Sequence, residues 1–374
     1  MSFFLFGPRQ TGKSTFVDSL PGPRSWKVNL LETEDVLKYS KEPLLFRKEA
    51  VHQIDEKKVK RIIIDEIQKV PDLLNEVQWL MGKTKCQFIM TGSSARKLKR
   101  GHANLLGGRA LARYLHPFVY SEIKDGFDLD KVLRFGSLPS IYGQPEPVQI
   151  DLLRAYTQIY LKEEIQAEGI VRNLGGFARF FDLAASQSGE LVSFSAIARE
   201  CHLPVRTVQS YYEILEDTLI GVRLLAWQKS LRKRLVAHPK VYFFDTGVTN
   251  AVNRQLAEAP GPLVKGRLFE QWVILETYRQ LQYQGSEAQM FFWRTNHGAE
   301  VDLLIEKHGQ IKGAYEIKCK THVTGADISG LRAFKEEYPK VPCRVVSRVK
   351  NAYKIEDVLI MPWSDFFEEL KKVL

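Results

Sequence analysis

Phe3-Phe4-Leu5-Phe6-Gly7-Pro8-Arg9-Gln10-Thr11-Gly12-Lys13-Ser14-Thr15 runs from an apolar strand into G-x-x-x-x-G-K-S and then into a helix-forming segment. That order predicts a phosphate-binding loop at a strand-to-helix turn. Gly7 and Gly12 allow successive backbone N–H groups to aim at one centre. A helix starting near Lys13 adds its positive end to the same point. Lys13 is placed to reach β- and γ-phosphates, and the Ser14 hydroxyl to hold Mg²⁺. Gly7, Pro8, Arg9, Gln10, Thr11, Gly12, Lys13, Ser14 and Thr15 are therefore the expected nucleotide contacts, with a nucleoside triphosphate and Mg²⁺ as cofactors. A chance match in a glycine-containing turn is the alternative, and the motifs downstream argue against it.

Trp26-Lys27-Val28-Asn29-Leu30-Leu31 reads as a second strand, and residues 33–60 as helices. Arg61-Ile62-Ile63-Ile64-Asp65-Glu66 is a β-branched run of the kind parallel sheets bury. Its carboxylates stand at the strand's C-terminal end, where α/β folds bind ligands. Asp65 is expected in the Mg²⁺ shell, and Glu66 is expected to polarise the attacking water. A third strand, Cys86–Met90, ends in Thr91-Gly92-Ser93-Ser94 and is expected between the first two motifs. There Thr91 or Ser93 would sense phosphate or orient water, or simply cap the strand. Arg109, in Gly107-Gly108-Arg109-Ala110-Leu111-Ala112-Arg113, is a candidate to neutralise transition-state charge in its own subunit or a neighbour; a structural arginine is the other reading.

Four segments resemble those of predicted bacterial and archaeal AAA+ ATPases: G-P-R-x-T-G-K-S-T, I-D-E-I-Q, T-G-S-S and G-R-A-L…L-H-P-F. Tyr160-Leu161-Lys162-Glu163-Glu164-Ile165 and Tyr242-Phe243-Phe244-Asp245-Thr246-Gly247 are also similar to that family. The resemblance covers nearly the whole chain. It implies an ATPase core followed by a large C-terminal region, and a ring-forming homo-oligomer. Preference for ATP over GTP is likewise implied by the resemblance.

The 374 residues allow two or three domains. The net charge of +10 favours an acidic partner, nucleic acid first. Cys86, Cys201, Cys319 and Cys343 show no C-x-x-C spacing, so reduced thiols and a cytoplasmic location are expected. No apolar run reaches membrane-spanning length, and no signal peptide is read at the start. Turn-rich residues 136–147 and Ala259-Pro260-Gly261-Pro262 mark boundaries, which predicts an ATPase core over 1–135, a helical connector with a winged helix over 136–258, and a nuclease-like α/β domain over 259–374.

In the middle region, Phe194–Cys201 and a second helix carrying Val205, Val208, Tyr212 and Leu215 flank a turn at His202-Leu203-Pro204. Two strands follow, with a basic stretch between them, as in a winged helix. Arg206 and Gln209 are expected near bases, and Arg232, Lys233 and Arg234 on phosphates of double-stranded DNA. The alternative is a winged helix used for protein contacts. In the last region, helix residue Glu270, then Asp302, then Glu316-Ile317-Lys318 follow the order E…D…E-x-K. That order resembles the PD-(D/E)XK nuclease fold. A hairpin at His308-Gly309 would set Asp302 beside Glu316. Glu270, Asp302 and Glu316 would form a hard-cation site, and Lys318 would orient water or stabilise the charge. A charged hairpin that binds and does not cut is the alternative. The fold class expected is thus α/β: a P-loop core with a parallel sheet, a helical and winged-helix region, and a PD-(D/E)XK-like domain. The function expected is an ATPase coupling nucleotide state to DNA, or else a nucleotide-dependent switch binding proteins.

Overall fold

The computed structural model describes residues 1–94, 106–160, 173–228 and 238–373. They divide into two compact units. The first comprises Met1–Pro117 with Leu138–Ser140 and Ile214–Ile220; the second comprises Phe118–Ser137, Ile141–Glu213 and the chain from Gly221 onward.

In the first unit the strands are β1 (Ser2–Phe6), β2 (Ser25–Asn29), β3 (Arg61–Asp65), β4 (Gln87–Gly92) and β5 (Ala110–Tyr114). They make one parallel sheet in the order β2-β3-β4-β1-β5. Phe4, Phe6, Ile62, Ile64, Phe88 and Met90 pack in one buried cluster with Tyr39, Phe46 and Leu73. Leu5, Ile63 and Ile89, which alternate with them along the strands, belong to a second cluster with Val17. Each of these strands is therefore sealed on both faces, which is why it reads as a continuous apolar run. The covering helices are α1 (Lys13–Ser19), α2 (Thr33–Lys41), α3 (Pro43–Asp55) and α4 (Leu73–Lys83). Because β4 lies between β3 and β1, three loops that follow strand C-termini meet on one edge, where α/β sheets bind ligands.

The second unit holds α5 (Leu129–Phe135), α6 (Glu146–Ala155), α7 (Leu174–Ser186) and α8 (Phe194–Cys201). Helix α9 (Val205–Asp217) follows a short turn. Strands β6 (Gly221–Ala226) and β7 (Lys240–Phe243) pair antiparallel. Then come α10 (Thr246–Val252) and the long α11 (Pro262–Tyr283). Strands β8 (Gln289–Arg294), β9 (Glu300–Lys307) and β10 (Gln310–Lys318) form an antiparallel meander. Helix α12 (Ser329–Glu337), β11 (Cys343–Ser347), β12 (Tyr353–Ile355), β13 (Val358–Pro362) and α13 (Trp363–Val373) finish it.

The two strands read from sequence as a separate wing are part of the C-terminal sheet. β6 pairs parallel with β8 through Leu225↔Phe291 and Ala226↔Phe292, giving the order β12-β13-β11-β10-β9-β8-β6-β7. One face of this sheet packs Leu224, Phe292, Leu303 and Ile317 against Trp272 and Val273 of α11. The other packs Phe291, Trp293, Leu304 and Val345 against Leu331 and Phe334 of α12. The Y-F-F-D-T-G segment is a buried knot. Asp245 caps α10 by accepting from Val248 N at 3.1 Å, and also accepts from Ser137 N at 2.8 Å. Arg279, 2% exposed, donates to the carbonyls of Phe244 at 2.6 Å and Phe118 at 3.3 Å.

Candidate functional site

The phosphate loop lies at the end of β1. A Cβ added at Gly7 would sit 2.2 Å from the Leu115 carbonyl oxygen, so backbone closeness demands glycine there. Gly12 takes φ +85 as the residue before α1, a left-handed conformation that side chains resist. The Lys13 ammonium is 6% exposed and donates to the carbonyls of Gly7 at 2.8 Å and Pro8 at 2.9 Å. Thr11 braces the loop by donating to Pro8 O at 2.8 Å, and Ser140 donates to Gln10 Oε1 at 2.9 Å. Arg9 is half-buried and Thr15 is exposed on α1.

The ends of β3 and β4 close the site. Ser14 Oγ donates to Asp65 Oδ2 at 2.8 Å. A hydroxyl and a buried carboxylate thus converge, which is a donor set that suits Mg²⁺. Thr91 Oγ1 donates to Asp65 Oδ1 and accepts from the Glu66 N–H at 3.1 Å. Thr91 is therefore hydrogen-bonded to both acidic residues. Glu66 has φ +59, uncommon for a residue with a side chain and typical of strained functional positions.

Sequence reading passed over Gln68. Its amide Nε2 donates to Glu66 Oε2 and to Ser93 Oγ, the latter at 3.1 Å. Its Oε1 is buried with no hydrogen-bond partner among the described residues. The available signal was an amide two residues after the glutamate in I-D-E-I-Q. Lys27, 3.9 Å from Asp65 Oδ2 and 2.8 Å from Asp18, was also missed.

The expectation for Arg109 does not hold within its own chain. Ala110 stands opposite Ser2 in the β1–β5 register, whereas the phosphate loop follows Phe6 at the other end. Four residues of strand separate them, about 13 Å at the usual rise. Arg109 is exposed and donates to the Gln78 carbonyl at 3.5 Å. It does not reach the phosphate loop of its own chain.

On α9, Arg206 and Gln209 are exposed, and so is Glu213, one turn further along the same face. The other end of α9 belongs to the first unit, where the Asp217 carbonyl accepts from Ser94 Oγ at 3.4 Å. Arg232, Lys233 and Arg234 lie outside the described residues, as do Leu161 to Ile165.

The carboxylates of the C-terminal region are brought together. The two-residue turn at His308-Gly309 pairs Lys307 with Gln310, and Asp302 Oδ2 accepts from Ile317 N at 2.8 Å. Asp302 and Glu316 are each 7% exposed. Burial, then the neighbouring Glu270, pushes Asp302 up to about 6. Burial, then Asp302, pushes Glu316 up to about 8. Lys318 donates to Glu316 Oε1 at 2.5 Å. Two further residues were not anticipated. Lys240 donates to Glu270 Oε1 at 3.1 Å and pairs with Glu300 Oε1 at 2.6 Å, and Tyr242 donates to Glu270 Oε1 at 2.8 Å. Among the described residues, no group of three or more His, Cys, Asp or Glu side chains is arranged to hold a metal ion. The Lys240 ammonium instead stands at Glu270, one of the three carboxylates from which the E…D…E-x-K order implied a divalent-cation site.

Comparison with known proteins divides the chain in three. Residues 1–124 match a family model described as an AAA domain. Residues 126–259 and 265–366 match two models, each described as a domain of unknown function (DUF8612 and DUF4143). Uncharacterized proteins of Mycobacterium tuberculosis and Mycobacterium bovis are each 26% identical over 262 residues, which is 69% of this chain and 58% of theirs. The chain therefore spans 58% of the length of these curated relatives. Among solved structures, the Aeropyrum pernix ORC1 protein in complex with DNA is 17% identical, with a TM-score of 0.27, over 68% of this chain and 86% of that one. The replication initiator DnaA bound to AMPPCP and single-stranded DNA is 14% identical, with a TM-score of 0.28, over 57% and 82%. Both likenesses are too slight to assign a function. No helix among the described residues is long and apolar enough to cross a membrane.

Proposed function

We propose that the N-terminal unit binds and hydrolyses Mg-ATP, and that its nucleotide state is coupled to engagement of duplex DNA. The observation that carries the ATPase reading is the junction of three strand ends: Ser14 bonded to Asp65, Thr91 fixing Asp65 and Glu66, and Gln68 holding Glu66. Loop amides and the Lys13 ammonium would bind the phosphates. Mg²⁺ bound at Ser14 and Asp65 would offset charge on the phosphate oxygens. Glu66, held by the Gln68 amide, would accept a hydrogen bond from the attacking water and orient it. Coupling is supported by α9, a single helix whose last residue is bonded to Ser94, just past the end of β4, and whose first turns expose Arg206 and Gln209.

The test is steady-state ATP hydrolysis with and without duplex DNA, on wild type and Glu66→Gln. Stimulation by DNA that vanishes in Glu66→Gln supports the reading. Hydrolysis indifferent to DNA removes the DNA half and leaves a second reading, a nucleotide-dependent switch that binds a protein. Glu213 favours that second reading, because its carboxylate shares the exposed face with Arg206 and Gln209 and would repel a phosphate backbone.

A further inference from the structure

The acidic cluster of the C-terminal sheet has a cation already in it. Lys240 is 4% exposed and comes from β7, at the far end of the sheet. Its ammonium lies 3.1 Å from Glu270 of α11 and 2.6 Å from Glu300 of β9. The backbone of Lys240 is pinned by its antiparallel register with Leu224. On the other flank Lys318 pairs with Glu316 at 2.5 Å, and Arg294 pairs with Glu300 at 2.9 Å. Lys240, Lys318 and Arg294 thus face Glu270, Glu300, Asp302 and Glu316.

We propose that Lys240 is a built-in cation that occupies the acidic site, so that the native C-terminal domain takes no divalent metal there, and that a neutral side chain at position 240 opens the site to one. Two facts carry this. First, a divalent ion bound at Glu270 would have to share that carboxylate with an ammonium held at hydrogen-bond distance, and like charges so close in a mostly buried setting repel strongly. Second, removing the ammonium leaves the partly buried Glu270 carboxylate, which lies beside Asp302, without its cation, and such a loss is costly unless another cation replaces it. Glu316 Oε2, buried and without a hydrogen-bond partner among the described residues, supplies an oxygen for such a replacement. The domain then binds or scaffolds and does not cut phosphodiesters by metal-activated water. This inference does not depend on the nucleotide reading of the N-terminal unit.

The experiment is Mn²⁺ binding followed by electron paramagnetic resonance on the full chain without nucleotide. The variants are Asp302→Asn, Lys240→Gln and the double variant. Wild type and Asp302→Asn are expected to bind the same amount of Mn²⁺, and neither nicks DNA. Lys240→Gln is expected to gain one Mn²⁺ per chain, lost again in the double variant. Mn²⁺ binding by wild type that Asp302→Asn removes overturns the proposal, as does metal-dependent nicking that Glu316→Ala abolishes. A folded Lys240→Gln chain that gains no Mn²⁺ also overturns it. Should Lys240→Gln fail to fold, the comparison of wild type with Asp302→Asn decides alone.

Discussion

On the proposed reading, Glu66 and Gln68, two residues apart and hydrogen-bonded to each other, divide the work between chemistry and aim. Replacing Glu66 by Gln keeps the size and removes the charge. Hydrolysis is expected to fall at least about a hundredfold, the usual range for a lost general base, while nucleotide affinity is kept. Gln68→Ala leaves the carboxylate in place and frees it to turn. The expected outcome is a drop in kcat of roughly tenfold with KM little changed, since only orientation is lost. Equal losses in nucleotide affinity for both variants, read by a fluorescent nucleotide titration, would count against the positioning role. Gly7→Ala makes the opposite kind of change: the new methyl carbon meets the Leu115 carbonyl, so nucleotide binding itself should fail.

At the scale of elements, α9 presents Arg206 and Gln209 outward, and the C-terminal strands bury a shared carboxylate pair. If α9 engages DNA, Arg206→Ala should weaken duplex binding and reduce the salt slope by about one, as expected when a single cation no longer neutralises a phosphate. An unchanged slope in a titration from low to high salt would remove Arg206 from the interface. For the strands, the sign of the pH effect follows from Asp302 at about 6 and Glu316 at about 8, both raised. In the unfolded chain these carboxyls ionise near pH ~4. Between about pH 4 and 8 the folded state binds more protons than the unfolded state, so stability declines as pH rises through that window. Wild type should lose urea resistance from about pH 5 to 8.5, and Glu316→Gln should show a flatter profile. A wild-type midpoint that rises over this range would contradict the assigned burial.

At the scale of the whole chain, the knot around Asp245 and Arg279 ties together the backbone at Phe118, Ser137 and Phe244 within one unit. Arg279→Met strips two carbonyls, those of Phe118 and Phe244, of a donor and leaves the buried Asp245 without its nearby cation. The expected cost is about 3 kcal/mol or more, the range for breaking a buried charge arrangement. Denaturant unfolding of the full chain would read it, and a loss under about 1 kcal/mol would show the knot to be slack. The same view explains why β6 and β7 differ from the sequence expectation. A hairpin after two helices reads locally as a wing, yet its edge hydrogen bonds needed a partner, and β8 supplied one.

Local chemistry was sufficient for the phosphate loop, the acidic strand end and the parallel sheet. Glycine geometry, β-branched runs and the strand-to-helix turn are properties of short segments, legible wherever they occur. The E…D…E-x-K order was also legible, and the hairpin at His308-Gly309 did bring Asp302 and Glu316 together. What Gln68, Arg109 and Lys240 do was decided only by tertiary structure. Gln68 acts across to Ser93 on a neighbouring strand end, Arg109 is set apart by the β1–β5 register, and Lys240 reaches carboxylates far along the chain, at Glu270 and Glu300. Charge and register act through space, and the distance between two residues along a chain does not set the distance between their atoms.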